Sequence, residues 1–254
     1  MRRLTARDAR LSGFRFYDIL VHIFVVILLI SNLVAQKICT FGTLHLFGHS
    51  IPLRLSGGQL LFPLTYIFSD IFTEVYGYGA SRRAIWLGFF ASGILALMGL
   101  FIVWVPADPS WQNQKAFEAV FYQMPRAIVA SLIAFWAGEF TNSYTLAKMK
   151  ILTEGKWLWT RTVGSTVTGQ FVDTVLVILL IFAGHTSWST MLSLMLGGYI
   201  GKVSYEVLAT PLTYWVVAAL KRSEGVDVFD RGTNFNPFKS NRPKEPIAAA
   251  ANGS

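Results

Sequence analysis

Two carboxylic acids stand inside an otherwise apolar stretch of the chain. Residues 59–83 read QLLFPLTYIFSDIFTEVYGYGASRR, and within them Asp70 and Glu74 are four residues apart. In a helix, this spacing places both carboxylates on one face. A carboxylate in the bilayer interior costs about 3 kcal/mol on insertion scales, so such groups normally face a cavity or an opposite charge. We therefore interpret the pair as part of a binding site.

Further polar pairs with helical spacing interrupt other apolar runs of the chain. They are Asn32 with Gln36, Glu139 with Asn142, Gln170 with Asp173, and Lys202 with Glu206. The members of each pair are three or four residues apart, so each pair shares one face of its helix. Tyr66 and Tyr76 add aromatic rings beside the two central acids. All twelve residues are candidates for contact with a ligand.

Carboxylates, amides and aromatic rings together suit a flat heterocycle. A carboxylate accepts a pair of hydrogen bonds from a ring N–H and a neighbouring amino group, as on the edge of guanine. Asn and Gln would take the opposite edge, and an aromatic face would stack on the ring. A bare cation would suit the acids, but it would leave the amides and rings unexplained. The sequence therefore favours a site for a planar, nitrogen-rich solute.

Structural interpretations of the same residues stay open at this point. Asp70 and Glu74 could mark a helix end at the cytoplasmic interface, where Arg82, Arg83 or Lys148 would offset their charge. An asparagine between helices also serves as a hydrogen-bonding contact worth under about 1 kcal/mol.

Two basic residues have structural interpretations as well. Lys202 and Glu206 could neutralise each other, since they are four residues apart. Arg161 is interpreted as a residue at the membrane boundary.

Hydrolytic and metal-dependent chemistry find no support in the sequence. The chain has no GxxxxGK[ST], HExxH or GxSxG motif, so we do not expect it to hydrolyse ATP, peptides or lipids. His45 and His49 lie in a glycine-rich stretch without a third ligand, so no metal site is predicted. We expect no catalytic residue and no cofactor.

The composition places these residues in a membrane. The chain has 254 residues, of which 53% are hydrophobic and 14% charged, with eight Trp and twenty Phe. Soluble domains carry about 25% charged residues, so we expect one integral membrane domain embedded in a lipid bilayer. Cys39 is the sole cysteine, which excludes an internal disulfide.

Apolar runs of bilayer length predict the elements that position the polar pairs. A helix of about 20 apolar residues spans a bilayer. We predict an all-α polytopic membrane protein with six transmembrane helices, at about residues 18–37, 59–76, 84–105, 125–148, 162–182 and 190–220. Residues 39–58 are predicted as a loop or short hairpin, and residues 114–122 as a short interfacial helix.

The distribution of basic residues predicts the orientation. Seventeen of the 22 Lys and Arg residues fall in segments that an inside amino terminus would place in the cytoplasm, and three fall outside. Both termini are therefore predicted to be cytoplasmic. The net charge of +8 is explained by these helix flanks, so no nucleic acid is expected as a partner.

Composition also divides the chain into three regions. Residues 1–17 are predicted as a basic cytoplasmic arm, residues 18–220 as the six-helix transmembrane domain, and residues 221–254 as a disordered cytoplasmic tail. The last of these is charged and proline-rich and shows no periodicity.

Four segments of the chain resemble one known family. They are SNLVAQKI, FPLTYIFSDIFTEVYGYGASRRAIW, GEFTNSYTLAKMK and RTVGSTVTGQFVDT, and the match extends over about residues 18–220. These segments resemble the bacterial queuosine precursor transporters, formerly catalogued as a vitamin uptake family. The resemblance implies inner-membrane uptake of 7-cyano-7-deazaguanine and 7-aminomethyl-7-deazaguanine, from which the queuosine of tRNA is made. It also implies a compact six-helix fold similar to the substrate-binding subunits of energy-coupling-factor vitamin transporters, working without an ATPase module.

Residues and resemblance together predict a secondary or facilitative transporter. In this prediction one cavity is lined by Asp70, Glu74, Glu139, Asn142, Gln170 and Asp173. The alternative is a substrate-binding subunit of an ATPase-energised vitamin or nucleobase uptake system. The coupling ion stays open, and so does the choice between a monomer and a homodimer.

Overall fold

The chain folds into helices connected by short strands and loops. A computed structural model describes residues 2–5, 14–34, 37–46, 49–121, 125–184, 187–231 and 233–238. The helices are α1 (Tyr17–Val34), α2 (Gly57–Ile71), α3 (Tyr78–Trp104), α4 (Gln114–Phe121), α5 (Pro125–Leu152), α6 (Leu158–Phe182) and α7 (Trp188–Glu224). The strands are β1 (Arg2–Thr5), β2 (Ile38–Leu46), β3 (His49–Ser56) and β4 (Val226–Phe229). A π-helical turn, Phe72–Tyr76, continues α2.

Each of the six long segments predicted from apolar runs is helical. Four helices within the described ranges are long and apolar enough to cross a membrane: Tyr17–Val34, Tyr78–Trp104, Leu158–Leu180 and Met195–Glu224. β2 and β3 form an antiparallel hairpin in the predicted hairpin region, and α4 is the predicted short helix. The protein is therefore helical and crosses the membrane several times.

α2 lies at the centre of the bundle, in contact with α1, α3, α5 and α7. From residue 65 to residue 76 every side chain is buried except the half-buried Phe68. The surrounding helices turn large apolar side chains outward instead; Leu97 of α3 is 69% exposed and Leu208 of α7 is 81% exposed. An apolar exterior of this kind suits lipid rather than water. The polar groups of α2 are thereby enclosed within the protein.

Two glycines bring α5 and α6 into close contact. A Cβ atom added to Gly138 would lie 3.1 Å from the carbonyl oxygen of Gly169, and one added to Gly169 would lie 3.0 Å from that of Gly138. Small residues allow helix backbones in membranes to approach each other in this way. The contact places Asn142 of α5 beside α6, because its Cβ lies 2.8 Å from the Cβ position of Gly169.

The carboxyl-terminal segment differs from its prediction as a disordered tail. α7 continues to Glu224, and β4 then pairs in parallel with β1 in the basic arm, with Arg2 opposite Val226. Beyond β4, the Arg82 guanidinium donates to the carbonyl oxygen of Asn236 at 2.7 Å. The prediction of disorder from residue 221 therefore does not hold for residues 221–231 and 233–238. These side chains find partners on the helix ends, which composition does not reveal.

The start of α3 also differs from the prediction. It begins at Tyr78 rather than near residue 84, because Gly77, with φ of +85°, ends the π-helical turn one residue earlier. The backbone N–H of Tyr78 then donates to the carboxylate of Asp230 at 2.8 Å. Burial raises the pKa of this carboxyl group, and the hydrogen bonds from Tyr78 and Thr233 oppose the shift.

We expect Gly138→Ala to destabilise the protein. The new Cβ would lie 2.7 Å from the Cβ of Asp173 and 2.8 Å from the hydroxyl oxygen of Tyr66, so the helices must move apart. Overpacking of this kind costs about 1–3 kcal/mol. The apparent melting temperature in detergent should fall accordingly. Gly93→Ala is the matched control, because no atom lies within 4 Å of its Cβ position; equal melting of both variants and wild type would contradict the packing.

Candidate functional site

Asp70 and Glu74 face different surroundings, although they are four residues apart. Asp70 lies in α2, whereas Glu74 lies in the π-helical turn, where hydrogen bonds join residues five apart. Asp70 accepts hydrogen bonds from Asn142 and Ser165, and Glu74 accepts its hydrogen bonds from Arg161 and Lys221. The prediction that both acids line one cavity is therefore not supported by their partners.

Glu74 belongs to a group of five charged residues, which we call the charged cluster: Glu74, Lys150, Arg161, Lys221 and Asp227. Arg161 donates to both carboxylate oxygens of Glu74, at 2.7 and 3.2 Å, and the Lys221 ammonium lies 2.6 Å from one of them. Lys150 lies 3.6 Å from the same oxygen and 2.7 Å from Asp227, which Lys221 also contacts at 2.7 Å. Three cations thus face two carboxylates.

The charged cluster joins the π-helical turn to α5, α6, α7 and β4. Burial alone would raise the pKa of Asp227, but the ammonium groups of Lys150 and Lys221 outweigh it and hold that pKa below its usual value. Glu74 is fully buried, and the protein's own cations satisfy it. Its carboxylate therefore stabilises the fold and has little capacity left for a ligand.

The basic residues that the structural alternative paired with Asp70 and Glu74 have other partners. Arg82 donates to carbonyl oxygens of the carboxyl-terminal segment, Arg83 lies 5.4 Å from the ring of Tyr17, and Lys148 lies 4.5 Å from the ring of Phe235. Arg161 is buried and pairs with Glu74, and its position at the membrane boundary stays a prediction. Thr160 and Thr162, the neighbours of Arg161 in the sequence, give no sign of this role, which follows from its approach to the π-helical turn.

A second group of buried polar residues lies between α2, α5, α6 and α7, and we call it the central polar cluster. Its members are Tyr66, Asp70, Glu139, Asn142, Thr166, Gln170, Asp173 and Glu206, all less than a tenth exposed. Asn142 donates to one oxygen of Asp70 at 2.7 Å, which joins α5 to α2. A Cβ on Gly138 would touch both Tyr66 and Asp173, so these two side chains meet beside α5.

Electrostatic interactions show that the acids of the central polar cluster lie near one another. Glu139 interacts with Asp70 and Asp173, and Glu206 interacts with Asp70 and Glu139. The hydroxyl of Tyr66 interacts electrostatically with three of these acids, Asp173, Glu139 and Glu206. Four carboxyl groups therefore gather inside the bundle, and Lys202, which forms an ion pair with Asp173, is the basic residue that contacts them.

Most of these side chains carry an atom without a hydrogen-bond partner. Among the described residues, ten buried side-chain atoms have none, and nine of them are oxygens. The nine are Tyr66 Oη, Asp70 Oδ2, Glu139 Oε1 and Oε2, Asn142 Oδ1, Thr166 Oγ1, Gln170 Oε1, Thr174 Oγ1 and Glu206 Oε2. The hydroxyl of Ser69 lies beside Glu139, but its hydrogen bonds join Ser143 at 3.0 Å and Ser81 at 3.4 Å.

Folded proteins leave few buried polar atoms unsatisfied, because each costs about 1–3 kcal/mol. Nine such oxygens on four neighbouring helices therefore indicate a place for a polar solute. Six of them are carboxylate or amide oxygens, which accept hydrogen bonds, so the solute would mainly be a donor. The tenth atom, Nε1 of Trp136, belongs to a side chain that packs against Trp86. Among the residues described, no three His, Cys, Asp or Glu side chains are placed to hold a metal ion.

Several predicted site residues lie elsewhere or have other partners. The Tyr76 hydroxyl donates to Glu224 at 3.0 Å, and the Asn32 amide donates to Ser92 at 3.1 Å, which joins α1 to α3. Lys202 pairs with Asp173 rather than with Glu206. Gln36 lies outside the described residues.

Sequence reasoning missed the threonines of α6. Thr166 precedes Gln170 by four residues and Thr174 follows it by four, so all three lie on one helix face. Extending the spacing of Gln170 in both directions along the run TVTGQFVDT would have found them.

The residues of the central polar cluster fall within a known family pattern. A family model described as "Putative vitamin uptake transporter" matches residues 56–216. The chain belongs to this family. The match includes α2, α5, α6 and most of α7 of this vitamin uptake transporter, and it contains every member of the central polar cluster.

One curated relative adds detail about the family. The transporter is 29% identical over 176 residues, 68% of its own chain and 74% of the other, to a protein of Bacillus subtilis (strain 168) named "Probable queuosine precursor transporter". No solved structure matches the chain. Family and apolar helices together make the protein a multi-pass membrane transporter for uptake and not an enzyme.

Glu74→Gln should destabilise the transporter strongly. The substitution leaves three buried or half-buried cations with Asp227 alone, and the loss of one partner of a buried ion pair costs about 3–5 kcal/mol. Lys221→Met should cost less, because two cations then face two carboxylates. Apparent melting temperatures in detergent measure both effects. A Glu74→Gln protein that melts like wild type but transports nothing would assign Glu74 to the substrate instead.

Proposed function

We propose that this transporter imports the queuosine precursors 7-cyano-7-deazaguanine and 7-aminomethyl-7-deazaguanine across the bacterial inner membrane. The observation that carries the proposal is the group of nine buried oxygens without partners in and beside the central polar cluster. The name of the Bacillus subtilis relative supports the same class of substrate. The substrate serves as the precursor of a modified tRNA base, and transport needs no dedicated ATPase.

The chemistry of a 7-deazaguanine matches an acceptor-rich site. Its ring N–H and exocyclic amino group form a donor pair, and a carboxylate with two free oxygens accepts such a pair. Glu139 has this arrangement. The free carbonyl oxygens of Asn142 and Gln170 accept from further N–H groups, and the Tyr66 hydroxyl is able to donate to the ring carbonyl.

The charges of the cluster suit the aminomethyl precursor as well. Four carboxyl groups stand near one cation, Lys202, so the site accommodates an additional positive charge. An ammonium group donates up to three hydrogen bonds and has no acceptor, which complements unpartnered oxygens. Both precursors share the guanine-like edge, so Glu139 would recognise either one.

The proposal includes six membrane spans with both termini in the cytoplasm, in a fold similar to the substrate-binding subunits of energy-coupling-factor transporters. Arg83 packs on Tyr17, Arg82 bonds Asn236, and Lys150 bonds Asp227, so the segments with most basic residues meet at one end of the bundle. Basic residues concentrate on the cytoplasmic side of a membrane. α2 and α5 would be the two spans that add to the four apolar helices.

Asp70→Asn should reduce precursor uptake by at least about tenfold, because the loss of a charged hydrogen-bond acceptor costs about 1.5–3 kcal/mol. The unpartnered oxygen of Asp70 is replaced by an amide of the same size. Uptake is measured in a strain that makes no precursor, from the queuosine content of its tRNA, with the membrane amount of the protein as reference. Asp108→Asn, which changes an exposed acid, is the control. Full uptake by Asp70→Asn would remove the central polar cluster from the function.

Purified protein in liposomes separates this function from its alternative. Uptake of 7-cyano-7-deazaguanine by the lone chain identifies a self-sufficient transporter. Saturable binding without uptake, together with co-purification of an ATPase pair, would identify a substrate-binding subunit instead.

Reporter fusions test the orientation. A fluorescent protein that folds only in the cytoplasm should fluoresce when fused after residue 238, and alkaline phosphatase should be active when inserted between residues 106 and 113. The opposite pattern would reverse the topology. These predictions rest on the basic residues of the helix flanks.

A further inference from the structure

Glu206, like Glu139, is a carboxyl group of the central polar cluster for which the described residues provide no ion-pair partner. It lies in the middle of α7, is 1% exposed, and its Oε2 has no hydrogen-bond partner. Asp70, in contrast, accepts from Asn142 and Ser165, and Asp173 pairs with Lys202. No cation lies within ion-pair distance of Glu206 among the described residues.

The groups that face Glu206 make its ionised form still less favourable. Tyr66 and Asp70 approach from α2, Glu139 from α5, and Asp173 interacts with the same cluster from α6. The cations nearest along α7 are already engaged, since Lys202 is bound to Asp173 and Lys221 to the charged cluster. Lys150 and Arg161 likewise form ion pairs within the charged cluster, with Asp227 and Glu74.

An unpaired, buried carboxylate beside other acids is unstable, because neither water nor a cation compensates its charge. A bound proton would remove this penalty while the site excludes water. When the site opens to water, hydration removes this penalty and the proton can leave. A group whose charge changes between closed and open states connects proton movement to the transport cycle.

We propose that Glu206 carries the proton that couples substrate uptake to the proton gradient. In each cycle the Glu206 carboxylate takes one proton from the outer solution, forming an O–H bond, and releases it to water on the inner side after the substrate leaves. Lys202, one helical turn away, is positioned to neutralise the carboxylate while the empty protein returns. This inference rests on the proposed import of 7-deazaguanines.

Glu139 has a different role from Glu206. Both oxygens of Glu139 are free, as recognition of a paired donor edge requires, whereas the structure leaves one oxygen of Glu206 without a partner. Glu206 also follows Lys202 by one turn, and the Lys202–Asp173 pair is partly exposed, at 26% and 10% for the two side chains. In the proposed cycle, this pair would carry the proton between Glu206 and water.

The test uses the full chain in liposomes with the uncharged probe 7-cyano-7-deazaguanine. The membrane potential is held at zero with potassium and valinomycin, and accumulation is measured with and without a gradient of about 1.5 pH units, acidic outside. One proton per substrate sets a limit of about 30-fold accumulation, since each pH unit corresponds to a factor of ten. We expect wild type to accumulate the probe several-fold under the gradient.

Glu206→Gln should bring the ratio of accumulation with and without the gradient to about one. Exchange of external for internal probe should be slower than in wild type, because Glu206 belongs to the central polar cluster, but faster than in protein-free liposomes. Glu206→Asp, which retains a titratable group, should keep the ratio above one with a shifted pH profile. Asp108→Asn is the control and should behave like wild type. A pH-sensitive dye inside the liposomes should report substrate-dependent acidification for wild type and none for Glu206→Gln.

The outcomes separate the two proposals. Wild-type uptake that ignores the gradient overturns the proton coupling, and gradient-driven accumulation by Glu206→Gln overturns the assignment to Glu206. Loss of exchange in Glu206→Gln also overturns it, because Glu206 would then be required for binding or folding. Absence of any probe uptake or exchange by wild type contradicts the proposed import itself.

Discussion

The cost of burying carboxyl groups in an apolar helix bundle governs this structure. Asp70, Glu74, Glu139 and Glu206 are each at most 1% exposed, in a chain whose outer helices present apolar side chains. A buried carboxyl group needs a cation, a donor or a proton, because lipid and apolar side chains supply none of these. The arrangement of α2, α5, α6 and α7 meets this requirement for some of these carboxyl groups and leaves it unmet for others.

Two buried acids on the same helical segment, Glu74 and Asp70, are compensated in different ways. At the π-helical turn, Glu74 receives cations from α5, α6 and α7, and the ion pairs fasten the helix ends to one another and to β4. One turn earlier, Asp70 and its neighbours receive few donors from the protein. The first arrangement is complete without a solute, whereas the second is not. The difference separates a structural region from the region proposed to bind the solute, within a few residues.

Close packing of α5 and α6 holds the unpartnered acids and amides of the central polar cluster in place. The glycines at 138 and 169 allow α5 and α6 to approach, so that acids and amides from separate helices reach the same interior space. Packing at this distance also limits how far the side chains can relax towards one another. In the proposed function, acceptors held unpartnered in this way would bind a donor-bearing solute without rearranging first, which lowers the entropic cost of binding.

The sequence by itself determined the membrane class, the long helical segments, the hairpin and the polar residues of the interior. These features follow from local composition and from helical spacing, which depend on neighbours in the chain. Only the tertiary structure decided the partners. Glu74 meets Arg161, 87 residues away, and Lys221, 147 residues away, and Lys202 pairs with Asp173 rather than with Glu206 on its own helix. The carboxyl-terminal segment is ordered for the same reason: its contacts lie on helix ends that are distant in sequence. Charge pairing depends on distances of a few ångströms, and those distances are set by packing between helices.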